Sequence, residues 1–207
     1  MALVKYNNNS LSNVTSAPNF PAGAMTLIKT LTASSSSTLS FVHGSSDVVL
    51  DSTYPIYMFK FINIHPGTDD KNFQFNMSAD TGSNYNVSKQ TAVFKANHDE
   101  SDSATNLTYD TGEDLQLSTG FQTLANGVGA DDDQSFCGTM HLFDPSSTTF
   151  VKHFMTAIQY YAFNNYSNNF FVSGYGNTTS AVDAVQFKFN SGNIDSGTIK
   201  LYGLNDS

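Results

Sequence analysis

The feature that most constrains this fold is a series of short segments in which apolar and polar residues alternate, separated by clusters of turn-forming residues. In the segment at 72–78, Phe73, Phe75 and Met77 fall on one side and Gln74, Asn76 and Ser78 on the other. This period of two indicates half-buried β-strands. No stretch repeats apolar residues at helical spacing, and about ten such strands in one domain imply two packed sheets. The sequence therefore predicts an all-β protein, a jelly-roll-like antiparallel β-sandwich.

The composition supports this prediction. The 207 residues include 17 Phe and 10 Tyr but no Trp, and arginine is absent. Aromatic residues favour pleated surfaces, and the abundant Ser, Thr, Asn and Gly form turns more readily than helices. A core rich in phenylalanine is expected, and one sandwich domain of this length is common.

Three expectations concern the arrangement of strands. Residues 54–64 are apolar on both faces apart from Lys60 and predict a central strand. Residues 79–133 are irregular and acidic, and are expected to form surface elaboration at one end of the sandwich. The last strand, at 197–204, is expected to pair with an early strand near 24–33.

The chain is predicted to have two parts, an extended N-terminal arm at 1–22 and the sandwich domain at 23–207. The arm has no periodicity and carries Pro18 and Pro21. A frayed terminus is one reading. The other is an assembly arm that docks on a neighbouring subunit through spaced apolar residues, namely Leu3, Val4, Tyr6, Leu11, Val14 and Phe20.

Charge and cysteine content limit the partners. The net charge is −9 and the pI about 4.6. Because phosphate binding draws on clustered Lys and Arg, neither nucleic acid nor an anionic membrane is expected as a partner. Cys137 is the single cysteine, which precludes an intrachain disulfide and suits assembly in a reducing cytosol. We find neither the pattern of a signal peptide nor an apolar run of transmembrane length.

No catalytic residues and no cofactor are predicted. The five histidines are scattered, and no metalloprotease, nucleophile-elbow or P-loop motif occurs. Cys137 and His141 would lie about 13 Å apart on one strand, too far for a shared metal. A glycosidase pair of carboxylates stays open as an alternative.

Acidic loops are weak candidates for Ca²⁺, which prefers oxygen ligands. The main ones are Asp131, Asp132 and Asp133, and the cluster of Asp110, Glu113 and Asp114. Solvated loops are the simpler interpretation.

The aromatic segment near residue 160 suggests a carbohydrate platform, since tyrosine combines an apolar ring with a polar tip. The candidates are Tyr160, Tyr161, Asn165 and Tyr166. Packing at the end of a strand is the alternative, and the sequence favours it.

Three stretches together resemble a family of jelly-roll virion proteins of marine tailed bacteriophages. They are TLIKTLTASSSSTLSFVHG, STYPIYMFKFINIHPGTDDKNFQFNMSADTGSNY and the closing SGTIKLYGL, covering residues 25–85 and 196–204 well. The chain departs from the family pattern in lacking a Trp in its first strand and in its long acidic middle. The resemblance implies a fibre, tail or capsid-decoration module without catalytic residues.

These observations predict a non-enzymatic structural virion protein, assembled in the host cytoplasm and acting through contacts with other virion proteins. A homo-oligomer is expected, with a trimer as the guess. The alternative is a receptor-binding module of a phage fibre that engages host-surface glycans.

Overall fold

A computed structural model describes residues 24–205, so the predicted assembly arm lies outside the described part. These residues form twelve β-strands and no helix. The strands are β1 Met25–Thr32, β2 Leu39–Val42, β3 Ile56–Pro66, β4 Lys71–Ser78, β5 Lys89–Asp99, β6 Thr105–Tyr109, β7 Gln122–Val128, β8 Phe136–Phe143, β9 Lys152–Tyr161, β10 Tyr166–Gly176, β11 Ala184–Phe189 and β12 Ile194–Leu204. Within residues 24–205 there is no helix that could span a membrane.

Eight of the strands make a jelly roll. The order β1-β12-β3-β8 in one sheet faces the order β2-β11-β4-β7 in the other, and every pairing is antiparallel. This alternation of the chain between two four-stranded layers is the double Greek key of jelly-roll proteins. The predicted all-β sandwich is confirmed, as is the pairing of the last strand with an early one, since β12 lies between β1 and β3.

Two inserted hairpins widen one of the two sheets. β5–β6 follows β4, β9–β10 follows β8, and together they extend the first sheet to eight strands in the order β1-β12-β3-β8-β9-β10-β5-β6. The expectation that residues 79–133 form surface elaboration at one end of the sandwich is therefore wrong for β5 and β7, which are integral to the sheets. β5 is eleven residues long and pairs with β10 along its whole length, while β7 completes the smaller sheet.

Phenylalanine rings fill the space between the sheets, as the composition predicts. Phe187 of β11 lies at the centre, with its ring centroid 5.2 Å from those of Phe59 and Phe61 and 6.0 Å from that of Phe73. All four side chains are fully buried. The edge-to-face pairs with Phe59 and Phe61 and the stacked pair with Phe73 add to the stabilisation that area burial alone provides.

β3 is central, as predicted, but its two faces differ. Tyr57, Phe59 and Phe61 are buried in the core, whereas the opposite face is partly exposed. Near its end a bulge places Asn63 at φ 48° opposite Gly197 at φ 111°. A side chain at Gly197 would come within 2.5 Å of the Asn63 carbonyl oxygen, so this crossing requires glycine.

Two polar positions of β4 depart from the predicted alternation. Gln74 is partly exposed, but Asn76 and Ser78 are fully buried because the loops at 79–88 and 110–121 cover them. Asn76 donates from Nδ2 to the carbonyls of Tyr85 (2.6 Å) and Thr119 (3.0 Å). The buried amide thus ties both loops to the sheet.

Candidate functional site

A polar groove lies where the wide sheet extends past its smaller partner. The smaller sheet ends at β7, which packs over β9 and β10, so the inner face of β5 and β6 is left open around Asn97 and Asn106. The groove has a volume of about 390 Å³. We call it the amide groove and define it by six residues, namely Asn97, Asn106, Asn126, Phe163, Tyr166 and Asn168.

The floor of the amide groove is a row of side chains in strict register. Tyr160 of β9 is opposite Asn168 of β10, Asn168 is opposite Asn97 of β5, and Asn97 is opposite Asn106 of β6. Directly opposed residues of antiparallel strands point to the same face with Cβ atoms about 5 Å apart. Three neighbouring amides therefore follow one another across three strands, beginning beside a tyrosine.

The walls of the groove are fixed from the β7 side. The Phe163 N–H donates to the Gly127 carbonyl (3.1 Å), and a Cβ at Gly127 (φ 68°) would lie 3.3 Å from the Phe163 ring. Asn126 donates a short hydrogen bond from Nδ2 to Glu113, which also accepts from Asn72 (3.3 Å). Glycine at 127 lets the backbone approach the ring closely and so sets the wall.

The charges around the groove are mainly negative. Lys95 also lines it, but its ammonium group is 2.7 Å from the Asp110 carboxylate. Beyond Tyr166 an adjoining depression is lined by Asp99 and Glu100. Hydrogen bonds from the hydroxyls of Ser101 and Ser103 hold the pKa of Asp99 well below its usual range, so this carboxylate stays ionised.

Two of the four predicted carbohydrate residues line this groove. Tyr166 is partly exposed and borders both the groove and the adjoining depression. Tyr160 is only 1% exposed, because its ring packs against Phe170 between the sheets. For Tyr160 the favoured alternative, packing at the end of a strand, is therefore confirmed, and burial raises the pKa of its hydroxyl.

The other two predicted carbohydrate residues shape the turn between β9 and β10. Asn165 adopts φ 64°, a left-handed conformation that asparagine tolerates better than most residues. Its N–H donates to the Ala162 carbonyl (3.0 Å) and closes the turn. The Tyr161 hydroxyl donates to Asn165 Oδ1 (3.3 Å). Both lie beside the groove and not on its floor.

The weak Ca²⁺ candidates do not converge. Asp132 and Asp133 are exposed and face a shallow depression with His65, while the Asp131 N–H binds the Gln134 side chain (3.1 Å). Among residues 24–205, no three His, Cys, Asp or Glu side chains come together as metal ligands would. In the other acidic cluster the carboxylates have different partners. Asp110 forms an ion pair with Lys95, and Glu113 accepts hydrogen bonds from Asn72 and Asn126.

Cys137 has a local structural contact. Its Sγ lies 3.2 Å from Asn63 Oδ1 and accepts the Asn63 N–H at 3.3 Å. The thiol therefore supports the bulge at the end of β3. His141, four residues on in β8, instead stacks near Phe143 at 6.4 Å.

A second surface lies on the opposite side of the same strands. We call it the outer apolar face and define it by Phe94, Tyr109, Phe143, Met155, Phe171 and Tyr175. The rings of Phe94 and Phe171 stack at 4.8 Å across neighbouring strands. Phe94 is 46% exposed and Met155 57% exposed, so the face presents large apolar side chains to solvent.

Neither a family model, nor a curated protein, nor a solved structure matches this chain. The resemblance to phage virion proteins therefore remains a prediction, and the site has to be interpreted from its geometry.

Proposed function

We propose that this protein is a non-enzymatic structural component of a tailed-bacteriophage virion, a decoration, fibre or tail subunit that acts through contacts with other subunits. The observation that carries the proposal is the outer apolar face. A contiguous exposed patch of large apolar side chains is typical of a protein–protein contact. The jelly roll supports the proposal at the level of fold, because viral capsid proteins use this architecture.

The distribution of charge favours a second copy of the chain as the partner of this face. The outward positions of β5, β8, β9 and β10 include no Asp or Glu, although the chain carries 18 acidic residues and a net charge of −9. Two copies meeting through this face avoid the repulsion that their other surfaces would impose. A symmetric homo-oligomer is the usual result of such a self-contact.

The outer apolar face has a cleft and, beside it, a stacked aromatic pair, a shape that can be complementary to a second copy of itself. A cleft lined by Phe143, Met155 and Tyr175 lies next to the stacked Phe94–Phe171 pair. A knob and a hole on one face allow each copy to fill the other's hole, as isologous contacts require.

Light scattering of the purified chain tests this proposal. We expect a discrete oligomer, and we expect the variant carrying Phe94→Glu and Met155→Glu to be monomeric, because four buried carboxylates would face one another in each contact between two copies. Both side chains are about half exposed in the single chain, so the fold should tolerate the change.

The matched control is Phe150→Glu. Phe150 is 68% exposed in the loop between β8 and β9, outside the outer apolar face. This variant is expected to keep the mass of the parent chain. A monomeric parent, or a double variant of unchanged mass, would contradict self-assembly through this face.

A further inference from the structure

We infer that the amide groove binds a neutral glycan, with sugar hydroxyl groups bound by Asn97, Asn106 and Asn168. This site is on the opposite face of the sheet from the proposed subunit contact. It goes beyond that function, because subunit assembly requires no ligand.

The first argument is that these amides are unused. Asn168 is only 6% exposed, yet its side chain makes no hydrogen bond to any other residue of the described part. The side chains of Asn97 and Asn106 likewise have no partner within residues 24–205. The amide atoms of these three side chains open into the groove, so their donors and acceptors are available to a ligand.

Other asparagines of this chain show the contrast. The buried Asn76 uses its carbonyl oxygen to accept from the Met77 N–H (2.8 Å) and its amino group to bind two loop carbonyls. Asn126 and Asn72 both donate to Glu113. Of the two buried asparagines among residues 24–205, Asn76 is therefore fully bonded within the protein and Asn168 is not.

The second argument is the match with sugar chemistry. Each asparagine offers two N–H donors and a carbonyl acceptor, and a sugar hydroxyl is both donor and acceptor. A row of amides spaced about 5 Å apart can bind hydroxyls at opposite sides of one sugar ring and on the ring linked to it. Tyr166 and Phe163 supply aromatic surface beside the row for the apolar C–H face of the ring.

Size and shape agree with a short oligosaccharide. The groove's volume of about 390 Å³ is within the range of about 300–1,000 Å³ usual for small-molecule sites. The depression beyond it, also about 390 Å³, shares Asn164 and Tyr166 with the groove. A second sugar residue can extend into that depression.

The third argument selects neutral sugars over acidic ones. Lys95 is the cation lining the groove within the described residues, and its charge is matched by Asp110. The ionised Asp99 and its neighbour Glu100 line the adjoining depression. A carboxylated or sulfated sugar would meet negative charge there without a free cation to compensate it.

The test is binding of the full-length chain to an array of neutral and acidic oligosaccharides, followed by calorimetric titration with the neutral oligosaccharide that binds most strongly. We expect neutral ligands to be retained in preference to acidic ones. The variant with Asn97→Ala and Asn106→Ala should bind that ligand at least tenfold more weakly, because two hydrogen bonds are lost.

The matched control is Asn169→Ala. Asn169 is adjacent to Asn168 in β10 but exposed on the opposite face, so the variant should retain full affinity. Asn106 is itself exposed at the edge strand, and Asn106→Ala alone should weaken binding about fivefold even if the double variant folds poorly.

Three results would overturn the inference. They are an array on which no neutral glycan is retained, a preference for acidic glycans, and unchanged affinity of the folded Asn97→Ala, Asn106→Ala variant. None of them bears on the oligomeric mass, so failure of this site and failure of the proposed assembly are separable.

Discussion

Replacing Phe187 with alanine is expected to lower the free energy of unfolding by about 4 kcal/mol. The ring lies between both sheets, within 5.2 to 6.4 Å of five other phenylalanine rings, centroid to centroid. Because other rings surround the site, the cavity left by the missing ring cannot be filled by the movement of a single neighbour. The loss therefore includes both the transfer of the ring to water and the cost of the cavity.

Denaturant unfolding of the parent and variant chains measures this loss. Phe150→Ala is the control, because Phe150 is 68% exposed and its removal should change the free energy by less than about 0.5 kcal/mol. A loss below about 1 kcal/mol for Phe187→Ala would mean that the aromatic core repacks more freely than its close contacts indicate.

Replacing Lys89 with methionine is expected to stabilise the protein below pH 7, with a gain that disappears as the pH rises. Lys89 is fully buried, and burial lowers the pKa of its ammonium group from 10.5 to about 7. Its Nζ donates to Asn76 Oδ1 (2.5 Å) and to the Val87 carbonyl (2.8 Å), but no carboxylate of the described residues forms an ion pair with it. Two neutral acceptors only partly replace the water that the ammonium group loses.

The direction of the pH effect follows from proton binding. Between pH 7 and 10.5 the unfolded chain holds a proton on Lys89 that the folded chain has lost. The stability of the parent chain therefore rises with pH across this window by up to about 1.4 kcal/mol per pH unit from this residue. Methionine does not titrate, so the difference in the free energy of unfolding between the variant and the parent chain shrinks by the same amount per pH unit.

Urea unfolding of both chains at intervals from pH 6 to 10 measures the difference directly. The control is Lys60→Met, which replaces an exposed lysine of β3 and should give a difference in stability that does not vary with pH in this way. A Lys89→Met chain whose difference from the parent is constant across the range would contradict a buried lysine that titrates near neutrality.

The sequence predicts the core well because the relevant information is local. Alternation alone places Phe73, Phe75 and Met77 inward, and all three are fully buried. The same argument fails at Asn76, because its burial depends on loops that come from 79–88 and 110–121. Alternation shows which face of a strand is apolar, but it cannot show what later covers the polar face.

The groove could not be predicted because its floor is assembled from distant parts of the chain. Asn97 and Asn168 are 71 positions apart, and only the pairing of β5 with β10 brings them together. The aromatic residues near Tyr160 do indicate part of the site, since Tyr166 lines the groove. Without the strand register, nothing in the sequence distinguishes Asn168, which faces the groove, from Asn169, which faces solvent on the other side.

The inserted strands have a consequence for how many ligands an assembly could hold at once. The amide groove and the outer apolar face are the two sides of β5 and β10, about one sheet thickness apart. Copies joined through the outer apolar face would therefore keep every groove open and pointing away from the shared contact. Weak attachment at each site would then combine into avidity, which can exceed the affinity of a single site by about 10²- to 10⁴-fold when the geometry allows simultaneous engagement.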